Sequence, residues 1–179
     1  MAEFLNDPFA NLADVPTFTV TSETFSEGDT VPAPQRSKAF GVPGGEDLSP
    51  QLSWSGFPEE TKAFAVTCFD PEAPTGSGFW HWVVADLPAD VTSLPVGAGT
   101  PGSDLLPAGA VTFRNDGGAE GYIGAAPPAG HGLHRYFFIV HALSEPLGLE
   151  PGGSPAFVGF NMFFKSIGRA WITATFEVE

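Results

Sequence analysis

All four histidines of the chain fall between residues 81 and 141. Three of them lie in two segments that also hold a carboxylate, prolines and a tyrosine: Asp70-Pro71-Glu72-Ala73-Pro74 with His81-Trp82, and Gly130-His131-Gly132-Leu133-His134-Arg135-Tyr136. Imidazole groups donate hydrogen bonds to phosphate or carboxylate oxygens, and a nearby Asp either favours the doubly donating imidazolium or fixes one tautomer. This is a composition for holding a small anion, with Asp70 orienting the histidines rather than touching the ligand. Between the two segments, Gly124 to Pro128 brings small residues and prolines, so a ligand can approach the backbone there, with the N–H of Ala125 or Ala126 as donor.

Other chemistries fit the same residues less well. Two histidines and a carboxylate make a facial triad for iron or zinc, but neither segment has the tight His spacing of a helix-borne zinc site. Gly76-Ser77-Gly78 lacks the G-x-S-x-G frame of a hydrolase nucleophile. Residue types alone leave open acid–base catalysis by the histidine pair on a bound phosphate ester, although nothing identifies a leaving-group acid or an oxyanion hole. The expectation is therefore a binding protein with no catalytic residue, no metal and no cofactor. Plainer readings apply to some members: Asp70 before Pro71 also suits a turn cap, His131 reads as a solvated loop residue, His141 as structural, and Arg135 as one half of a buried ion pair.

Composition limits the partners and the compartment. Seven basic against 21 acidic residues give a formal charge of −14, which repels nucleic acid and anionic membrane surfaces. A small phosphate in a recess feels its nearest donors more than distant, salt-screened carboxylates, so net charge does not exclude it. The acidic N-terminus has neither the basic start nor the apolar stretch of a secretory signal, and no run of about 18 apolar residues exists to span a bilayer. A cytoplasmic location is expected. The single cysteine, Cys68, forms no internal disulfide and reads as a small buried apolar residue.

The elements that must position these residues follow from periodicity. Gly and Pro make 40 of the 179 residues, but 42% hydrophobic residues with 17 Phe argue for a packed core rich in turns. Residues 1–179 read as a single domain, with 1–16 a loosely ordered N-terminal arm. Alternation predicts strands over 17–21, 52–54, 62–69 with Asp70 at its end, 79–87, 111–114, 134–143 and 172–178. In the fourth, Trp80, Trp82 and Val84 share one face and His81, Val83 and Ala85 the other. In the strand over 134–143, His134, Tyr136, Phe138 and Val140 share a face. One helix is predicted over 155–169, with Ser154 as N-cap, Pro155 at its first position, and a stripe of Phe157, Phe160, Phe164, Ile167 and Trp171 packing on the sheet. The sum is a mostly antiparallel β fold with one substantial helix near the C-terminus and short peripheral helical turns.

The quoted segments, together with Gly121-Tyr122-Ile123-Gly124 and Gly159-Phe160-Asn161, resemble the signature regions of the phosphatidylethanolamine-binding protein family. The likeness is strongest to its bacterial Raf-kinase-inhibitor-like branch and runs from about Phe18 to Glu179. The resemblance implies an antiparallel β-sandwich with an anion pocket at one end that takes phosphate, acetate or a phosphoethanolamine head group. Carried over by position, the pocket uses Asp70, Pro74, His81, the backbone at Ala126, His134 and Tyr136. It also implies a role in modulating kinases or other protein partners. Three departures stand out. Glu72 replaces the more usual Asp; Ala126 replaces a glycine of animal members, so its donor survives only at negative φ; and the animal C-terminal helix with its pocket-closing tyrosine is lacking. A more open site, or one covered by the partner of a homodimer, is expected.

Overall fold

The structure, a computed structural model, describes residues 6–179. Along them run β1 (Thr19–Thr21), β2 (Leu52–Ser55), β3 (Ala63–Asp70), β4 (Phe79–Pro88), β5 (Ser93–Leu94), β6 (Val111–Thr112), β7 (His134–Leu143), α1 (Pro155–Phe163) and β8 (Ser166–Phe176), with a 3-10 turn at Ala33–Gln35. The strands form two antiparallel sheets, β1-β2-β5 and β6-β4-β3-β7-β8. Because successive side chains leave a strand on opposite faces, the larger sheet buries two apolar sets. One set, with Phe64, Val66, Cys68, Val84, Phe138 and Val140, meets Leu52, Trp54 and Leu94 of the smaller sheet. Each such side chain, fully buried, contributes about 1.5–3 kcal/mol. The other set, Ala63, Ala65, Val83, Ala85 and Leu143, is built from smaller residues and packs against Val158 and Met162 of α1. Burial pushes the Cys68 thiol well above its ordinary range, as suits a core residue.

Two local expectations need correction. The helix stops at Phe163, six residues short of the predicted end, and β8 begins at Ser166 instead of 172. Residues 166–176 pair with β7 almost throughout, from Leu143↔Ser166 to His134↔Phe176, and this ladder outweighs the continued 3.6-residue period. The helix also buries a different stripe. Pro155, Val158 and Met162 face the sheet, while Phe157, Phe160 and Phe164 are exposed. Both stripes obey the helical period, and the alanines of β3 and β4 accommodate the narrower one. Ser154 does cap the helix, its hydroxyl accepting from Phe157 N.

The second correction concerns β4. Its register with β3 shifts so that Cys68 pairs with Trp82 but Phe69 pairs with Trp80, leaving His81 as an extra, unpaired residue. Such a bulge switches the alternation. Trp82 enters the core between the sheets, whereas Trp80 joins Val83 and Ala85 on the helix side. The two tryptophans therefore do not share a face, and His81 turns toward Tyr136, with ring centroids 5.2 Å apart.

Residues 6–16 run beside β7 and β8. Asn6 donates to Pro71 O and accepts from the Arg135 guanidinium, and the Phe9 ring lies 4.4 Å from that of Trp171. Among the described residues no helix is long and apolar enough to cross a membrane.

Candidate functional site

Three strand ends of the large sheet bring the sequence-selected residues together. Asp70 closes β3, His81 sits in the bulge near the start of β4, and His134 opens β7. The segment 121–128 crosses in front of them. It is held by Asp47, whose carboxylate accepts from Gly124 N at 2.7 Å and Ala39 N at 2.9 Å. Gly124 has no room for a side chain, since a Cβ there would lie 2.2 Å from the Arg36 carbonyl carbon. The result is a pocket of about 170 Å³ lined by Asp70, Pro74, His81, Ala126, His134 and Tyr136, with Phe40 and Phe79 among its other walls. All six sequence-predicted residues meet at this one volume.

Inside it, Asp70 acts as an organiser. One carboxylate oxygen accepts from the backbone of Glu72 and Ala73 at 2.9 and 3.1 Å, and the other lies 2.7 Å from His134 Nδ1. Asp70 and His134 are almost wholly buried, at 3% and 1% exposure, so this charge-assisted bond is protected from water. The acceptor makes His134 Nδ1 the donor. The opposite nitrogen, Nε2, lies 2.8 Å from Nδ1 of His131; in a neutral His134 ring it accepts, so His131 Nδ1 donates and two hydrogen bonds run in a row from His131 through His134 to Asp70. His131 is solvent-exposed, as a loop residue would be, yet it is bonded to the site. Sequence reasoning treated it as solvated. Its place three residues ahead of His134 between Gly130 and Gly132 was visible in the sequence, but the positive φ of both glycines, which turns the loop back, was not.

His81 is fixed differently. Its Nδ1 lies 2.8 Å from the carbonyl oxygen of Ile123 and so donates, which leaves Nε2 as the other polar atom of a neutral ring. Burial pushes its pKa below the ordinary histidine value, although the Ile123 contact and Asp70 pull the other way. Burial likewise raises the Tyr136 hydroxyl, with Asp70 adding to the shift, so it stays protonated as a donor. That hydroxyl has no hydrogen-bond partner among the described residues. Ala126 is not at positive φ, and among the described residues its N–H makes no backbone hydrogen bond. Because Asp70, His134 and His131 are bonded in a row rather than turned to a common point, they do not form a metal-binding cluster, and no other such group occurs among the described residues.

Around the pocket, Glu72 and Arg135 behave as expected. The Glu72 carboxylate accepts from both the Arg135 backbone and its guanidinium, fastening the loop after β3 to the start of β7. The longer arm of Glu allows this reach. Asp47 and Phe40, which lie far upstream in the chain, were not identified from sequence, since neither sits in a motif with the histidines.

The family model described as phosphatidylethanolamine-binding protein matches residues 21–177. The UPF0098 protein YbhB of Escherichia coli is 48% identical over 157 residues, covering 87% of this chain and 98% of YbhB. A UPF0098 protein of Aquifex aeolicus is 39% identical, covering 88% of this chain and 87% of its own length. The crystal structure of E. coli YbcL, presented as a new member of the mammalian PEBP family, matches with a TM-score of 0.87 at 45% identity, over 90% of this chain and 99% of that one.

Proposed function

This chain belongs to the phosphatidylethanolamine-binding protein family, and on that premise we propose that its pocket binds a small phosphate-type anion such as a phosphoethanolamine head group. The observation that carries this reading is the convergence of Tyr136, Ala126 and His81, which bring a hydroxyl, a backbone N–H and an imidazole, on one recess of about 170 Å³, a size for a head group rather than a drug-sized molecule. Asp70 and His131 hold His134 in orientation. His81, a neutral ring by itself, offers Nε2 as an acceptor for a protonated phosphate oxygen, or takes up a proton and becomes a donor as the anion arrives. Above the second phosphate pKa of about 6, either way the complex holds one proton more than the separated partners.

The sign of the pH dependence follows. The bound anion raises the His81 pKa that burial had lowered, so affinity is greatest at low pH and falls as pH rises through roughly 6 to 8. Calorimetric titration with O-phosphoethanolamine at pH 6, 7 and 8 tests it. The expected result is saturable binding that weakens with pH by at most about tenfold per unit and disappears in His134→Ala. Constant affinity from pH 6 to 8 would reject the proton uptake, and no binding at any pH would reject the anion site.

A second reading, a module for phosphorylated side chains on a protein partner and hence a kinase-inhibitor-like regulator, has one observation in its favour. An open depression of about 490 Å³, lined by Asn6, Glu72, Gly78 and His131, adjoins the pocket across Ala73 and Pro74 and offers room for flanking residues. A phosphoserine peptide that binds more tightly than O-phosphoethanolamine selects this reading over the head group.

A further inference from the structure

On the opposite face of the large sheet, between α1 and residues 12–13, lies a second, smaller cavity of about 100 Å³. Its walls are mostly apolar, with Leu12, Trp80, Met162 and Phe163, but Arg169 and His141 also line it. These two are cross-strand neighbours on β8 and β7 and are 7% and 4% exposed. Among the described residues Arg169 enters no ion pair: its two terminal nitrogens hydrogen-bond only to the Ala13 carbonyl, each at 3.3 Å, its Nε has no hydrogen-bond partner, and the guanidinium carbon lies 5.7 Å from the Phe9 ring centroid, a distant cation–π contact that brings no negative charge. His141 Nδ1 has none either, while its Nε2 lies 3.4 Å from the Thr67 hydroxyl. When that hydroxyl donates to Nε2, the ring proton resides on Nδ1, and a second donor stands beside the guanidinium.

Buried polar nitrogens are almost always partnered, and a buried charge without a counter-ion is costly. Asp14 acts on Arg169 only through space, and burial lowers the guanidinium pKa. In a chain of net charge −14 this is a place where positive charge lies buried without an ion-pair partner among the described residues. Water could fill 100 Å³ but would bring no negative charge. A carboxylate supplies both the charge and the acceptor oxygens that a planar guanidinium takes best, and the apolar walls suit a short hydrocarbon tail.

We propose that this cavity is a second binding site, for a small monocarboxylate with an apolar tail, with Arg169 and His141 as its polar end. The site is independent of the anion pocket, from which the sheet itself separates it.

Butyrate is the probe, with butanol as its uncharged counterpart. Binding is followed by two-dimensional ¹H–¹⁵N NMR, including the arginine Nε–H signals, and by calorimetry. The expected result is saturation by butyrate that moves the Arg169 Nε–H signal and the amides of Leu12, Gly159 and Met162, while butanol has no effect. Two variants close the site by different routes. Arg169→Met removes the charge, and Gly159→Leu fills the cavity from a helical position where an added Cβ meets nothing within 4 Å. Each should weaken butyrate at least tenfold while leaving O-phosphoethanolamine titrations unchanged. The proposal is overturned if butyrate does not saturate the protein, if its shifts gather at His81, Ala126 and His134 instead, if butanol binds equally well, or if both variants bind butyrate like the wild type.

Discussion

His134 and His141 stand on the same strand, seven residues apart and on opposite faces, and their surroundings differ in one decisive respect. Around His134 the buried polar groups are answered: Asp70 takes Nδ1, His131 takes Nε2, and the second Asp70 oxygen takes two backbone amides. Around His141 they are not, since its Nδ1 and the Nε of Arg169 lack hydrogen-bond partners among the described residues. A satisfied network holds its members in one geometry and leaves its cost in the parts that would be orphaned by mutation. An unsatisfied one bears that cost already, so removing a member releases it.

Three changes would break or sharpen this contrast. The largest effect is expected from Asp70→Ala, which strands the buried His134 donor together with the Glu72 and Ala73 amides. A loss of about 3 kcal/mol in urea unfolding is the expected outcome, with anion binding abolished in whatever remains folded. A loss below about 1 kcal/mol would mean that the row of hydrogen bonds does not hold the site together.

An intermediate effect concerns pH. Burial and the neighbouring Arg169 push the His141 pKa down to about 3, against about 6.5 for an unfolded histidine. Between these values the unfolded chain binds the extra proton, so stability is complete above about pH 6.5 and declines as pH falls toward 3. The His141 share of that slope is at most about 1.4 kcal/mol per pH unit. His81, lowered by its own burial, adds in the same direction. Urea midpoints measured from pH 4 to 7 should therefore show a shallower slope in His141→Leu than in wild type. Parallel slopes would show that His141 does not remain neutral inside the fold.

The smallest effect is expected from Arg169→Met. Replacing a buried cation that has no ion pair among the described residues by an apolar chain of similar length is often neutral or favourable, so the unfolding free energy should stay within about 1 kcal/mol of wild type or rise. A loss of 3 kcal/mol, equal to that of Asp70→Ala, would remove the distinction between the two clusters.

Legibility in the sequence divides along similar lines. The pairing of His134 with Tyr136 on one face of β7 follows from the period of two, and the strand keeps that period without interruption from 134 to 142. The facing of His81 could not be read the same way. One extra residue in β4 reverses the alternation, and no turn-forming residue marks its place between Trp80 and Trp82. The start of α1 was legible because Ser154 and Pro155 act locally, through a cap and a preset φ. Its end was not, because it is decided by the pairing of residue 166 with Leu143 across the sheet.

By itself the sequence determined the β-rich class, the strands that carry Asp70, His81, His134 and Tyr136, and the anionic character of the chain. These depend on composition and short-range periodicity, which act within a few residues. Only the tertiary structure decided which way His81 turns, that the exposed His131 reaches back to His134, that Asp47 and Phe40 help to form the pocket, and that Arg169 is buried without an ion-pair partner among the described residues. Each of these is a contact between segments distant along the chain or a consequence of ladder register, and such contacts are selected by packing and hydrogen-bond satisfaction over the whole fold.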